Sequence, residues 1–232
     1  MSAPYLIRLR LDGPKLLYFA QDRAELSETD EGFGYILHSW LATMFGEDAP
    51  KPFRFFPSKN ELLGYTRVDA DTLLSHAKAF ADPQAFSVLV PGSLASKEMP
   101  GNWSIGQRLK IEVVTCPISR KEGTEKDIYL RELDRLGEAA GSRAEVYTRW
   151  IANQFNPAIK AEQIALTGFS IRKLLRRPIV DGSRVSQRIE RPVATFSVLG
   201  QIADADAFEK LLVRGAGRHR AFGFGMLLLK PA

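Results

Sequence analysis

Apolar residues in this chain change period from two to about 3.6 and back again, in an order that few folds accommodate. Residues 5–11, YLIRLRL, alternate as a strand with one wet face, and Lys15 to Ala20 reads as a further short strand. A charged loop, Gln21 to Gly32, follows. Phe33, Ile36, Leu37, Trp40, Leu41 and Met44 then recur at helical spacing, which predicts an amphipathic helix over 33–45 ended by Gly46. PFRFF and ELLGYTRV flank Pro57 to Asn60 as a hairpin, Asp69 or Asp71 caps a helix running through Phe80, and FSVLV closes the segment as a strand. The order βαββαβ is that of the ferredoxin-like module, an antiparallel sheet covered on one side by two helices.

A second pass through the same order follows the Gly-, Pro- and Ser-rich stretch 91–103. RLKIEVV is a strand, Ala144 to Phe155 a helix, Gln163 to Lys173 and Arg184 to Leu199 long strands joined around DGSR, Asp204 to Val213 a helix, and GMLLL the closing strand. The expected fold is therefore α+β, two tandem ferredoxin-like modules: residues 1–92, a linker at 93–103, and residues 104–232. No residue-level repeat accompanies this duplication, so it rests on element order. A chain of 232 residues has the length for two such units.

The closing stretch GAGRHRAFGFGMLLL crowds Gly215, Gly217, Gly223 and Gly225 around Arg218, His219 and Arg220. Glycine permits positive φ and close approach to the main chain, so such a loop can turn several N–H groups toward an anion, and the arginines add donors shaped for phosphate oxygens. The spacing lacks the Lys-Ser/Thr of a mononucleotide P-loop, and a strand rather than a helix follows, which excludes a dinucleotide fingerprint. A polyanion running past the loop fits better. The segment IRKLLRRPIVDGSRVSQRIERPV points the same way, with Arg172, Lys173, Arg176, Arg177, Arg184, Arg188 and Arg191 against Asp181 and Glu190. On a protruding hairpin those bases can follow a phosphate backbone beside an RNA stem. The formal net charge of +5 agrees with an anionic partner. A single cysteine, Cys116, excludes an internal disulfide and fits a reducing cytoplasm, and no segment has the length and apolarity of a membrane span.

Histidine is the side chain suited to proton transfer near neutrality. His38 shares a helix face with Tyr35, three residues earlier, opposite the apolar stripe, so packing does not require it there. His76 flanks the apolar stripe of its own helix and reads as structural. His219, inside the glycine loop, is placed to contact phosphate or to donate a second proton. No cluster of carboxylates and histidines reads as a metal site, and no cofactor motif is present.

Taken together, the module order, Tyr35-x-x-His38, GQRLKIEVVTCPISRK, the basic hairpin and the terminal glycine loop resemble the CasE family of CRISPR repeat endoribonucleases, of the RAMP superfamily and associated with type I-E Cascade. The resemblance spans nearly the whole chain. It implies a protein that binds the CRISPR-repeat stem-loop, cuts precursor crRNA at the base of the stem without metal, and stays with the guide among other Cascade-type subunits. At the matching positions His38 is the catalytic histidine and Tyr35 its partner. The attacking group is then the RNA 2′-hydroxyl, leaving 2′,3′-cyclic phosphate and 5′-hydroxyl ends. Residues Glu122 to Arg143 fall outside the pattern and read as an insertion or a loop touching RNA or a neighbouring subunit. Two other readings stay open from the residues: a non-catalytic RNA-holding subunit of the same superfamily, and a ferredoxin-like metabolic enzyme whose loop holds a phosphorylated small molecule.

Overall fold

Alternation in YLIRLR sends Ile7 and Leu9 to the interior while Arg8 and Arg10 stay exposed, and this strand lies inside the first of two four-stranded sheets. The computed structural model describes residues 3–22, 33–176, 179–180, 183–184 and 187–232. They group into two units: 1–101 with 173–189 and 221–223, and 102–172 with 190–220 and 224–232.

The first unit contains β1 (Tyr5–Arg10), α1 (Gly13–Asp22), α2 (Phe33–Phe45), β2 (Phe53–Phe56), β3 (Glu61–Thr66), α3 (Ala70–Phe80), α4 (Pro83–Val88) and β4 (Ala95–Glu98). Its sheet has the order β2-β3-β1-β4 with every neighbour antiparallel, and Leu9 of β1 faces Leu62 of β3. Ile7, Leu9, Phe19, Trp40, Met44 and Phe53 are buried in one core, where the Trp40 indole N–H donates to the Ala85 carbonyl at 2.9 Å and so buries no unsatisfied donor. Asp69 is the cap of α3, its carboxylate accepting from the Thr72 amide at 2.8 Å.

Three expectations are corrected in this unit. Lys15 to Ala20 is not a strand but part of α1: Asp12 accepts from the Lys15 amide at 3.1 Å, Pro14 sits in the first turn, and Leu16, Phe19 and Ala20 are buried at helical spacing. FSVLV is not a strand either; Asp82 accepts from the Gln84 amide at 2.8 Å and starts the short helix α4, which buries Ala85 and Val88. The sheet's last strand is β4, a polar edge strand lying within the stretch expected as a linker. Of the expected charged loop, Gln21 and Asp22 end α1 and residues 23–32 lie outside the described residues.

The chain goes on through β5 (Arg108–Thr115), β6 (Ile118–Lys121), β7 (Thr124–Asp127), α5 (Ile128–Leu136), α6 (Arg143–Phe155), β8 (Ile159–Arg176), β9 (Ile179–Val180), β10 (Ser183–Arg184), β11 (Gln187–Ile202), α7 (Ala205–Arg214) and β12 (Leu227–Pro231). The second unit's sheet runs β12-β5-β11-β8, with β5 antiparallel to both β11 and β12. Numbered within its own module this is the strand order of the first sheet, so the duplication read from element order is present in the topology. Ser142 and Glu145 form a reciprocal capping box at the start of α6, and Asp204 caps α7 through the Ala207 amide at 2.9 Å. Between β5 and α6 the module is interrupted by the β6–β7 hairpin and α5, which is where the unplaced stretch 122–143 falls. β9 and β10 pair antiparallel, with Asp181 and Gly182 of the expected turn outside the described residues. Among the described residues no helix is long and apolar enough to cross a membrane.

Candidate functional site

Helix α2 buries Ile36, Leu37, Trp40, Leu41, Met44 and Phe45, and this stripe fixes its rotation about its own axis. Tyr35 and His38 are therefore left half-buried on the other side, one turn apart. Burial holds the His38 imidazole below its ordinary value of 6.5, and the charge of Lys51 depresses it further. Against this face packs Phe222, one of the residues 221–223 that group with the first unit. Its ring centroid is 6.5 Å from that of Tyr35 in a stacked arrangement and 6.3 Å from that of His38.

The contact depends on a helical glycine. A Cβ on Gly34 would lie 2.7 Å from the Phe222 carbonyl oxygen and 3.2 Å from its Cβ, so only glycine allows the chain to come this close to the first turn of α2. Neither Gly34 nor Phe222 was singled out from sequence. The available signals were a glycine inside an otherwise strong helix and a phenylalanine between the glycine pairs of the terminal loop. Gly223, next along, lies against Phe53, whose ring would be 3.2 Å from an added Cβ.

Both ends of the glycine loop, residues 215–220 and 224–225, belong to the second unit and are tied down by main-chain hydrogen bonds. Gly215, Gly217, Gly223 and Gly225 all have positive φ. However, the Gly215 amide donates to Leu211 at 2.7 Å, the Gly225 amide to Val114 at 2.7 Å, and the Ala216 amide to Gly225 at 2.9 Å. The expected open row of main-chain donors is thus corrected: at Gly215 and Gly225 the N–H groups close the loop onto α7 and β5. Buried Thr115 adds a hydroxyl donated to the Ala216 carbonyl at 2.7 Å. Gly217 is enclosed as well, since a Cβ there would meet Thr115 Oγ1 at 2.5 Å and the Trp150 ring at 2.9 Å.

Two of the loop's bases, with Arg191 of β11, converge on one carboxylate. Glu125 of β7, 6% exposed, accepts from Arg218 Nε at 3.0 Å and from Arg191 Nη2 at 2.9 Å, and His219 Nε2 lies 3.3 Å from its second oxygen. His219 itself is held at φ 60°. Arg220 instead donates through Nη1 to the Arg214 carbonyl. Arg191, expected to face a polyanion, is only 15% exposed, and its remaining Nε has no partner. Glu125 was not anticipated, because its partners stand 66 and 93 residues away along the chain and no local pattern marks it.

Of the other expected contacts, Arg172 and Lys173 are exposed on β8, Arg176 is a β8 residue, Arg184 belongs to β10 and Arg188 to β11, while Arg177 lies outside the described residues. Cys116 is buried, which pushes its thiol up to about 12 and leaves it a packing residue. His76 packs on Phe80 with ring centroids 5.1 Å apart, in line with a structural role. Among the described residues no three His, Cys, Asp or Glu side chains gather as a metal-binding group.

The model of a protein family described as CRISPR associated protein matches residues 5–231. Among solved structures, a CRISPR endoribonuclease Cse3 bound to a 19-nucleotide RNA superposes with a TM-score of 0.65 at 16% identity, covering 99% of this chain and 100% of that one. Thermus thermophilus Cse3, bound to an RNA representing a pre-cleavage complex, gives a TM-score of 0.59 at 15% identity over 99% of this chain and 100% of that one. Cas6e of Escherichia coli K-12 gives a TM-score of 0.55 at 17% identity over 98% of this chain and 100% of that one. At these identities the likeness is one of fold. No curated protein sequence matches the chain.

Proposed function

Because the chain belongs to the CRISPR-associated protein family, in line with the resemblance to CasE, we propose that it is an endoribonuclease that binds a CRISPR-repeat stem-loop, cuts precursor crRNA at the base of the stem and remains with the guide in a Cascade-like complex. The observation that carries this reading is the half-buried Tyr35–His38 pair with Phe222 against both rings. The RNA-bound state of Cse3, and the presence of a structural match within a CRISPR RNA-guided surveillance complex, at a TM-score of 0.54, support the choice of substrate and assembly.

The chemistry follows from the protonation state of His38. With its pKa lowered by burial and by Lys51, the imidazole is neutral at pH 7 and serves as a proton acceptor. It takes the proton of the 2′-hydroxyl beside the scissile phosphate; the 2′-oxygen bonds to phosphorus, the bond to the 5′-oxygen breaks, and the departing oxygen takes up a proton. Tyr35 orients the reacting groups, and Lys51, the cation whose field reaches His38, offsets charge building on the phosphorane. The products are a 2′,3′-cyclic phosphate and a 5′-hydroxyl, formed without metal. Substituting His38→Ala slows cleavage by roughly 100- to 10,000-fold, the usual weight of general acid–base catalysis, while repeat RNA binds nearly as before. Equal losses of binding and cutting would make His38 structural, and a wild-type protein that binds but never cuts would make the chain an RNA-holding subunit.

A further inference from the structure

The interruption between β5 and α6 supplies the carboxylate that Arg191, Arg218 and His219 surround. The β6–β7 hairpin that carries it is clamped by α5, whose Arg131 donates through Nη2 to the Thr124 carbonyl at 2.8 Å and the Ser119 carbonyl at 3.4 Å. Glu125 thus sits on a braced strand, 6% exposed, against Arg191 and His219, which are 15% and 4% exposed. A buried carboxylate in such a place is stabilised only while cations and donors surround it. Arg218 differs from the other two. It touches Glu125 through Nε alone and is still 43% exposed, so both Nη groups stay available to an anion. Its main chain is also held, by a bridge to Cys116.

We infer that Glu125 is a positioning residue for RNA binding: paired with Arg191 of β11, it grips the inner edge of Arg218 and lies against His219 of the same loop, so that the outer edge of the Arg218 guanidinium is presented to an RNA phosphate. An arginine with its Nε anchored loses less freedom on meeting a phosphate than one that swings in solvent. This inference rests on the proposed RNA-binding function and deepens it, by giving the stretch between β6 and α5 a role in recognition.

The sign of the effect separates this role from plain electrostatics. Glu125→Gln removes a negative charge next to three bases, and by charge alone it would tighten the grip on a polyanion. Positioning demands the reverse. With a repeat RNA made uncleavable by a 2′-deoxy nucleotide at the cut, E125Q binds about tenfold more weakly, and its slope of log affinity against log salt falls by about one, the signature of one lost phosphate contact. R218K keeps the charge but not the fork and weakens binding similarly. Unchanged or tighter binding by a folded E125Q, or wild-type affinity and salt slope in R218K, overturns the proposal. Failure of the wild-type protein to bind repeat RNA would overturn the functional reading beneath it, and the inference with it.

Discussion

Gly34→Ala is the smallest change that separates the candidate catalytic face from the fold that carries it. The added methyl would stand 2.7 Å from the Phe222 carbonyl oxygen, where ordinary contact begins at 3.4 Å, so Phe222 must withdraw by about 0.7 Å. The ring that withdraws is the one stacked on Tyr35 and tilted against His38. Displacement of about 1 Å in a positioning group can slow a reaction by roughly 100-fold, so a ten- to hundredfold fall in the single-turnover cleavage rate is expected. Helix propensity acts in the opposite direction, since alanine favours a helix over glycine by up to about 1 kcal/mol. The clash with a main-chain oxygen opposes that gain, so the thermal midpoint falls only modestly while cleavage falls much further, and RNA affinity changes little. Phe222→Ala gives a comparable loss, and adding it to G34A costs little more, because both substitutions break one contact. Wild-type cleavage by G34A would refute the reasoning, as would a loss of activity that merely tracks a lower melting temperature.

The remaining expectations concern the charge at His38 and the enclosed turn at Gly217. If neutral His38 is the base, the rate is lost on the acid side through its lowered pKa; Lys51→Met removes the second cause of that lowering, so the acid limb of the kcat/KM profile moves up toward 6.5. A limb that stays in place in K51M would show that another group titrates there. Gly217→Ala pairs a positive φ with a Cβ 2.5 Å from Thr115 Oγ1, and should lower stability by about 2 kcal/mol, read as a drop in the denaturant midpoint. An unchanged midpoint would mean that the loop relaxes freely.

Much of the architecture was legible because strong periods and caps coincide. The stripe of α2, the hairpin of β2 and β3, and the Asp69 and Asp204 caps all mark their elements locally, and the outward placement of Tyr35 and His38 followed from the same stripe. The errors share a cause. KLLYFA and FSVLV are apolar runs too short to show a period, and in each the deciding feature is an aspartate and a proline just upstream, Asp12 with Pro14 and Asp82 with Pro83. β4 reads as a loop because an edge strand with mostly exposed residues needs no apolar alternation. Glu125 could not be found from any window of sequence, since what makes it a hub is long-range packing that buries it among bases from two distant segments, β11 and the glycine loop. The glycine loop was recognised as special, but half of its purpose is to close on itself through Val114 and Leu211.

In the proposed reaction the RNA supplies the nucleophile and His38 of α2 manages its proton without metal. The most direct test is cleavage of a repeat RNA carrying one 2′-deoxy nucleotide immediately upstream of the cut, beside the unmodified RNA, both in excess chelator. The unmodified RNA is expected to be cut to a 2′,3′-cyclic phosphate and a 5′-hydroxyl, and the modified RNA to be bound with equal affinity and left whole. Cleavage of the deoxy-substituted RNA at the same bond, or activity that vanishes in chelator and returns with magnesium, would contradict it.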